Sequence, residues 1–514
     1  MNKASNLLNR RDALRGLMLG TAAAASGAWA GPPDVETLWV DPQPRFELSP
    51  FLYMQFIEPL GTTDSSVEAA WDHLADDWRE DVVASVRELA PPMLRFGGNL
   101  AGYYRWREAV GPRDRRVPMV NYQWGGIETN QVGTREFVEL CQRVRAEPLM
   151  CVNFESEGRP QYRHVKGVLR AGDAAEAAQW VAYCNQPGNA ERLAHGCPQP
   201  LAIRYWQVGN ETSYSKQGFD LETAARKTVE FATAMRNQDP GLQLIAWGDQ
   251  GWTARMAEVA GEHVQMLAFH HMFNPDSPKN PVLCGERYRL DPDATWAQLM
   301  QAWTINDAKL RQIRADMGRH RLPLAMTECH FAIPGRNRCE VLSTWAAGVS
   351  YARILNNHQR HGDVLKIATA ADFFGTRWQV NALMIPTPAG GKNAKAYLMP
   401  VGRVMRLYRQ HMGTHAVSVM RTPEGLDVVA SRREGRVFLH VANTDRTRSI
   451  RARLAVAKGT IAAGRVFQIA DDPRVEVSEL NSRSVMQIAE KALPAHGVWE
   501  FPAASVSAVE LDLT

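Results

Sequence analysis

Short apolar segments alternate with longer amphipathic segments from about residue 51 to residue 413. We predict eight strands, at 51–57, 93–97, 148–153, 203–208, 242–247, 265–270, 322–327 and 364–370. Helical periodicity is clearest at 134–146, 173–186, 221–238, 296–317, 339–360 and 396–412. Strands that alternate with helices form a parallel sheet, and eight such units close into a barrel. The pattern therefore predicts an α/β fold, a (β/α)8 TIM barrel, over residues 51–413.

A different pattern begins near residue 414. The segments 417–420, 426–431, 437–443, 449–456 and 504–513 are short, often alternate apolar with polar residues, and are separated by turn residues. Such segments are typical of antiparallel sheets. We therefore predict a C-terminal antiparallel β-sandwich over residues 414–514. The N-terminal segment 31–50 is a candidate for an additional strand of that sandwich.

The first 30 residues have the features of an export signal. Arg10-Arg11 precede an apolar stretch at 14–25, and Ala28-Trp29-Ala30 offers a cleavage site. The paired arginines resemble a twin-arginine signal, and a general secretory signal with a chance arginine pair is the alternative. We therefore expect residues 1–30 to be removed and the mature protein to be exported, either periplasmic or secreted.

Composition argues against several other classes of protein. The formal net charge is +4 and no basic block stands out, so we expect no nucleic acid partner. No segment after the signal reaches the ~18 apolar residues of a membrane span. The seven cysteines lack the C-x-x-C spacing of a zinc site, and we expect neither a metal nor a cofactor. Cys184 and Cys197 lie in a loop-like stretch and are the best local candidates for a disulfide.

Two glutamates follow predicted strands directly. Glu211, preceded by Asn210, comes after the fourth strand, and Glu328 comes after the seventh. The carboxyl ends of barrel strands surround one mouth, so these side chains are expected to meet there. A retaining glycosidase requires one carboxylic acid to protonate the leaving oxygen and one carboxylate to attack the anomeric carbon. The structural alternatives are a glutamate in the first turn of a helix for Glu211 and an ordinary surface glutamate for Glu328.

The motifs around these residues resemble those of glycoside hydrolase family 51, the α-L-arabinofuranosidases of clan A. The resemblance is carried by Tyr-Met-Gln-Phe-Ile-Glu at 53–58, Leu-Arg-Phe-Gly-Gly-Asn at 94–99, Trp106, Gly-Pro-Arg at 111–113, Trp-Gly-Gly-Ile-Glu-Thr-Asn at 124–130 and Gly-Asn-Glu at 209–211. It implies that Glu211 is the acid/base and Glu328 the nucleophile. It also assigns five residues to the sugar subsite, namely Glu58, Arg95, Asn99, Asn210 and His270.

Three parts of the sequence depart from the pattern of that family. The family has Asp-Glu-Trp after strand seven, and this chain has Thr-Glu-Cys at residues 327–329. Met272 stands where the family usually has a tyrosine, and Pro59 replaces a histidine. Because a lost hydrogen bond in a sugar pocket changes which sugar is accepted, we expect an altered sugar subsite.

The sequence as a whole predicts an exported retaining glycoside hydrolase that acts on an oligo- or polysaccharide. Two alternatives stay open: another clan-A activity, such as an exo-β-glycosidase or an endoglucanase, and a non-catalytic carbohydrate-binding protein. For the hydrolase, we expect burial and the charge of Glu328 to raise the pKa of Glu211, so that Glu211 can act first as an acid.

Overall fold

The structure is a computed structural model that describes residues 35–60, 66–249, 251–334, 339–375, 380–386 and 395–514. The predicted export signal at 1–30 lies outside the described residues. Among the helices that are described, none combines the length and the apolar character that crossing a membrane requires.

Eight parallel strands form a barrel. In chain order, β1 to β8 are Gln55–Ile57, Met93–Phe96, Glu147–Val152, Tyr205–Val208, Gln243–Trp247, Met266–Phe273, Leu324–Phe331 and Leu365–Ala368. Each strand pairs in parallel with the next. The backbone N–H of Met54 donates to the carbonyl of Ala368 at 2.9 Å and so connects the two edge strands. The predicted strands overlap all eight, and the barrel prediction is confirmed.

The principal helices of the barrel, α1 to α8, are Glu80–Leu89, Thr134–Val144, Ala174–Asn185, Leu221–Arg236, Thr253–Ala260, Pro292–Asp316, Trp345–Arg360 and Pro400–Gln410. Helical periodicity in the sequence predicts six of them but neither α1 nor α5. Both missed helices have ten or fewer residues, which is shorter than the window over which helical periodicity can be recognised. Further short helices are Ser66–Ala70, Pro160–Arg163, Ala190–Ala194 and Arg287–Leu290.

A nine-stranded sheet follows α8 and includes one strand from before the barrel. Its strands are Thr37–Glu47, His415–Arg421, Leu426–Arg433, Arg436–Asn443, Ile450–Val456, Ile461–Ala470, Ala489–Ala492, Val498–Phe501 and Ser505–Leu513. Thr37–Glu47 pairs antiparallel with His415–Arg421 and parallel with Ile450–Val456. The other pairings are antiparallel. The description of this sheet as a two-layer sandwich, and the domain boundaries, stay predictions.

The smaller sheets lie in the connections of the barrel. One has three strands, Asp372–Gly375, Asn381–Met384 and Tyr397–Leu398, and three are two-stranded: Trp71–Asp72 with Asp77–Trp78, Met119–Val120 with Ile127–Glu128, and His164–Val165 with Val168–Leu169.

Cys184 and Cys197 are both free thiols. The suggestion of a disulfide between them is therefore wrong: Cys184 is buried near the end of α3, and Cys197 lies in the loop that follows the short helix Ala190–Ala194.

A layer of apolar side chains fills the barrel interior. Its buried members are Met54, Phe56, Met93, Leu149, Tyr205, Ile245, Trp247, Ala268, Ala325 and Ile367. Side chains alternate between the two faces of a strand, so the residue two positions further on faces the same interior. Two positions after the apolar residues of β1, β2, β4 and β6 stand four polar residues, in the same order: Glu58, Arg95, Gln207 and His270. The apolar layer thus forms the floor beneath a polar layer at the carboxyl ends of the strands.

Candidate active site

Arg95 on β2 lies at the centre of this polar layer and is fully buried. Its Nη1 donates to Oε1 of Glu328 at 2.8 Å, its Nη2 to Oδ1 of Asn210 at 2.6 Å, and its Nε to Oε1 of Gln207 at 2.9 Å. The guanidinium is rigid and planar. It therefore fixes the orientation of three side chains that come from two distant parts of the chain.

Glu211 follows β4 through a turn in the left-handed region of backbone conformation. Gly209 has a φ of +86° and Glu211 a φ of +54°. A Cβ at position 209 would lie 2.8 Å from Oγ1 of Thr212, so the turn requires glycine there. The turn directs the Glu211 carboxylate inward, where its Oε2 accepts a hydrogen bond from Nδ2 of Asn99 at 3.1 Å.

His270 on β6 lies between the two glutamates. Its Nδ1 is 3.1 Å from Oε1 of Glu211 and 3.5 Å from Oε2 of Glu328, and its Nε2 is 3.1 Å from Oγ1 of Thr327. The pairing of β6 with β7 shifts register after Phe269, so that His270 pairs with Glu328. Such an irregularity redirects side chains, and here it brings both Thr327 and Glu328 beside one imidazole.

The two carboxylates are close enough for direct attack on a sugar. One oxygen of Glu211 and one oxygen of Glu328 lie within 4.8 Å of each other. Retaining glycosidases separate their carboxyl groups by about 5–5.5 Å, and inverting enzymes by about 6.5–9.5 Å. Both glutamates are buried, at 8% and 6% exposure. Glu328 lies inside β7, which continues to Phe331, whereas the strand predicted from the sequence ends at residue 327.

The same three side chains, Glu211, His270 and Glu328, have the composition of a metal site, because one ligand atom from each lies within 4.8 Å of the others. The Arg95 guanidinium already donates to Glu328 at 2.8 Å. A cation at this place would be repelled by that guanidinium. The arrangement thus fits two carboxylates that are held by hydrogen bonds from neighbouring side chains better than it fits a metal centre.

Glu58, directly after β1, is a third buried carboxylate in the site. Its Oε1 accepts hydrogen bonds from Nε1 of Trp124 at 2.9 Å and from the backbone N–H of Leu100 at 3.2 Å. Burial, followed by the negative charges of Glu328 and Glu211, raises the pKa of Glu58 well above its usual range. Glu58 is therefore protonated at pH values at which an exposed glutamate is ionised.

The pKa of Glu211 is lowered, which contradicts the expectation from the sequence. Burial raises it, but the hydrogen bond and charge of His270, the hydrogen bond from Asn99 and the charge of Arg159 together outweigh burial. In the free site, the proton of the carboxylate cluster is thus held by Glu58 rather than Glu211. The sequence-based expectation was wrong because it included burial and the charge of Glu328 but none of these hydrogen bonds.

The structure brings all seven predicted site residues together around this cluster. It also adds three that the sequence analysis did not single out: Gln207, Glu157 and Arg159. A polar residue inside the apolar strand at 203–208 is a signal that could have identified Gln207. Glu157 and Arg159 lie in the loop after β3, where no sequence rule marks them.

Two of the substitutions relative to the resembled family, Cys329 and Met272, lie in different environments. Cys329 is buried and its Sγ faces Nδ2 of Asn306 on α6 at 3.8 Å, on the outer side of β7. Met272 shares the strand face of His270 and is 36% exposed at the mouth of the barrel. Of these two residues, Met272 is therefore the one that lies on the side of the sugar pocket.

The proton on Glu58 can be observed directly. We expect the infrared spectrum of the free protein, recorded at a series of pH values, to contain a band from protonated carboxyl groups. Part of this band should persist at pH values above those at which a glutamate usually ionises, and that part should be absent in Glu58→Gln. The cause is the raised pKa of Glu58. The exposed Glu424→Gln variant is the control and should leave the band unchanged. Loss of this part of the band in Glu211→Gln, with no change in Glu58→Gln, would contradict the assignment.

Comparisons of sequence identify relatives over the central part of the chain. Residues 85–288 match the family model of the α-L-arabinofuranosidase 1 domain. The chain is 31% identical over 229 residues to the probable α-L-arabinofuranosidase C of Aspergillus flavus, and 30% identical over 251 residues to the intracellular exo-α-(1→5)-L-arabinofuranosidase of Acetivibrio thermocellus. These matches cover 42% and 44% of this chain. The chain spans 42% and 46% of the length of these relatives.

Solved structures share the fold over nearly the whole chain. The family 51 arabinofuranosidase of Xanthomonas axonopodis pv. citri superposes with a TM-score of 0.74 at 21% identity, and the Thermotoga maritima α-L-arabinofuranosidase in complex with arabinose with 0.71 at 22% identity. Each comparison covers 93% of this chain and 100% of the other. Over its central part the chain is thus similar in sequence to α-L-arabinofuranosidases, and over almost its full length it shares the fold of family 51 arabinofuranosidases.

Proposed function

We propose that this chain is a retaining glycoside hydrolase that cleaves an oligo- or polysaccharide by double displacement. The observation that carries the proposal is the pair of buried carboxylates, Glu211 and Glu328, within 4.8 Å of each other at the barrel mouth. The relatives and the structural neighbours are named as arabinofuranosidases, which supports the same class of reaction.

In the first step, Glu328 attacks the anomeric carbon while the bond to the leaving oxygen breaks. Oε1 of Glu328 is held by Arg95, and Oε2 faces His270 at 3.5 Å, beyond the usual hydrogen-bond length. We therefore assign the attack to Oε2. Glu211, which takes up a proton from solvent when the sugar binds, gives that proton to the leaving oxygen. A bound sugar excludes water from the site, which raises the pKa of Glu211 and opposes the hydrogen bonds that lower it in the free protein.

In the second step, Glu211 accepts a proton from water, and the resulting hydroxide displaces Glu328 from the anomeric carbon. Esterification removes the negative charge of Glu328, which lowers the pKa of Glu211 and suits it to act as a base. Arg95 then donates to the carboxylate as it is released. Two inversions at one carbon give a product with the configuration of the substrate.

The roles of the two glutamates can be separated with azide. We expect Glu328→Ala to lose nearly all activity for every leaving group, and added azide to give a glycosyl azide of inverted configuration. In Glu211→Ala, a dinitrophenyl glycoside should still form the ester because dinitrophenolate needs little protonation. Azide should then restore turnover with retained configuration, as measured by proton NMR of the products.

The matched control for both variants is Glu230→Ala on the outer surface of α4, which should keep full activity. Its side chain is 58% exposed. Inverted azide product from Glu211→Ala and retained product from Glu328→Ala would reverse the assigned roles. Near-full activity of both variants would favour the non-catalytic carbohydrate-binding protein.

The sugar subsite is proposed to be altered relative to the arabinofuranosidases, and Met272 is the residue that supports this. We expect the wild-type protein to hydrolyse 4-nitrophenyl α-L-arabinofuranoside weakly compared with some other glycoside. Met272→Tyr should raise kcat/KM on the arabinofuranoside by about fivefold, since one hydrogen bond contributes about 1 kcal/mol. Met272→Leu, which adds no hydrogen-bonding group, is the matched control.

A high kcat/KM of the wild-type protein on the arabinofuranoside would contradict the altered subsite. A panel of aryl glycosides also tests the alternative clan-A activities, because an exo-β-glycosidase would prefer a β-linked pyranoside and an endoglucanase would cleave only longer chains.

We also propose that the protein is exported, as residues 1–30 suggest. Arg10-Arg11 are the paired arginines that a twin-arginine signal requires. Changing both to lysine should leave the protein in the cytoplasm of a bacterial host, as measured by cell fractionation and N-terminal sequencing. Unchanged export of this double variant would favour the general secretory signal, and a wild-type protein that stays inside the cell would contradict export.

A further inference from the structure

Glu157 is a buried carboxylate that the proposed mechanism does not use. It lies in the loop after β3 and is 1% exposed. Its Oε1 accepts a hydrogen bond from the backbone N–H of Asn210 at 3.0 Å, and its Oε2 accepts one from the hydroxyl of Thr212. A single carboxylate thus contacts the residue immediately before Glu211 and the residue immediately after it.

A neighbouring residue of the same loop holds Glu211 itself. Nη2 of Arg159 donates to the backbone carbonyl of Glu211. Nη1 of Arg159 lies 3.5 Å from Oδ1 of Asn99, whose Nδ2 donates to the Glu211 carboxylate. Three consecutive residues, 210 to 212, are therefore each attached to the segment 157–159.

This segment has an unusual backbone that other contacts hold in place. Glu155, Ser156, Glu157 and Gly158 have φ values of 45°, 57°, 56° and 69°, so four consecutive residues are left-handed. Ordinary residues adopt this region only where their surroundings enforce it. Oδ1 of Asn153 accepts from the backbone N–H of Ser156 at 3.0 Å, and the carbonyl of Glu157 accepts from the N–H of Phe219 at 3.0 Å.

The turn that carries Glu211 is itself left-handed, with a φ of +54° at Glu211. A non-glycine residue in this region tends to return to an ordinary conformation once its restraints are removed. Such a change would rotate the Glu211 side chain away from Asn99 and His270. A displacement of about 1 Å of a catalytic group is enough to cost about a hundredfold in rate.

We propose that Glu157 is a positioning residue for the acid/base: it clamps both sides of the Glu211 turn and keeps the Glu211 carboxylate directed at the leaving oxygen. The inference rests on the proposed function. Glu157 does not itself face the sugar, because both of its oxygens are engaged by the turn. Burial raises the pKa of Glu157 to about 7, against the hydrogen bond from Thr212, the charge of Arg159 and the hydrogen bond from the Asn210 backbone, which lower it.

A positioning role differs from a purely structural one in how it depends on the leaving group. A misplaced acid slows the departure of poor leaving groups and hardly affects good ones, because good ones need little protonation. A general loss of structure lowers kcat/KM equally for all substrates. The test therefore measures kcat/KM on 2,4-dinitrophenyl, 4-nitrophenyl and phenyl α-L-arabinofuranosides, or on the same aryl series of the sugar that the wild-type protein prefers.

We expect Glu157→Ala to lower kcat/KM about a hundredfold for the phenyl glycoside and less than about threefold for the dinitrophenyl glycoside. Glu157→Gln should restore most of the activity, since its amide oxygen can accept from Asn210 and its amide nitrogen can donate to Thr212. Thr212→Val removes one contact and should give the same selective loss to a smaller extent. Should Glu157→Ala fail to fold, Thr212→Val carries the test, because it keeps the buried carboxylate.

Glu155→Ala is the matched control in the same loop. Glu155 pairs with Lys227 at 2.5 Å and does not contact the Glu211 turn, so the dependence on the leaving group should be unchanged. Equal losses on all three substrates, or no loss, in Glu157→Ala and Thr212→Val would overturn the inference while the proposed function stands. Failure of the wild-type protein to hydrolyse any glycoside would overturn the proposed function, and this inference with it.

Discussion

The buried Arg95 guanidinium is the interaction on which the rest of the site depends. A cation inside a barrel is unfavourable unless charged and polar groups surround it. Glu328 supplies the charge and Asn210 and Gln207 supply the remaining acceptors. Because the three acceptors come from β4, the turn after it and β7, their positions relative to one another are set by one rigid group. The orientation of the proposed nucleophile and the path of the turn toward Glu211 therefore share a common restraint.

The site is built from departures from regular backbone geometry on a regular barrel. The register shift between β6 and β7 places Glu328 beside His270, and the left-handed turn after β4 brings Glu211 to the other side of that imidazole. A regular pairing of β6 with β7, and a turn after β4 without left-handed residues, would direct these carboxylates elsewhere. The segment 155–159 is a third departure, and its residues Glu157 and Arg159 support the second. Local strain is thus concentrated where the two carboxylates must meet.

The strands of the barrel and the two central glutamates could be predicted from the sequence because their signals are local. Apolar runs of four to eight residues mark strands, and Glu211 and Glu328 stand directly after such runs. Glu157, Arg159 and the lowered pKa of Glu211 could not be predicted, since each depends on contacts between loops that are distant in sequence. The helices α1 and α5 were missed because they are shorter than the window over which helical periodicity can be recognised. Cys329 was assigned to the sugar pocket on the resemblance alone, and the direction of its side chain needed the structure.

The charges in the site also explain why a third carboxylate is tolerated. Glu58, Glu211 and Glu328 face one guanidinium and one imidazole, so full ionisation of all three would place like charges together in a buried volume. Retaining a proton on Glu58 relieves this repulsion and leaves Glu211 ionised and hydrogen-bonded to His270 and Asn99. When Glu328 becomes an ester, one negative charge is lost and the same repulsion no longer acts on Glu58. The proton distribution of the cluster is therefore coupled to the covalent state of Glu328, because the ester no longer repels the charge that Glu211 carries in the step that needs a base.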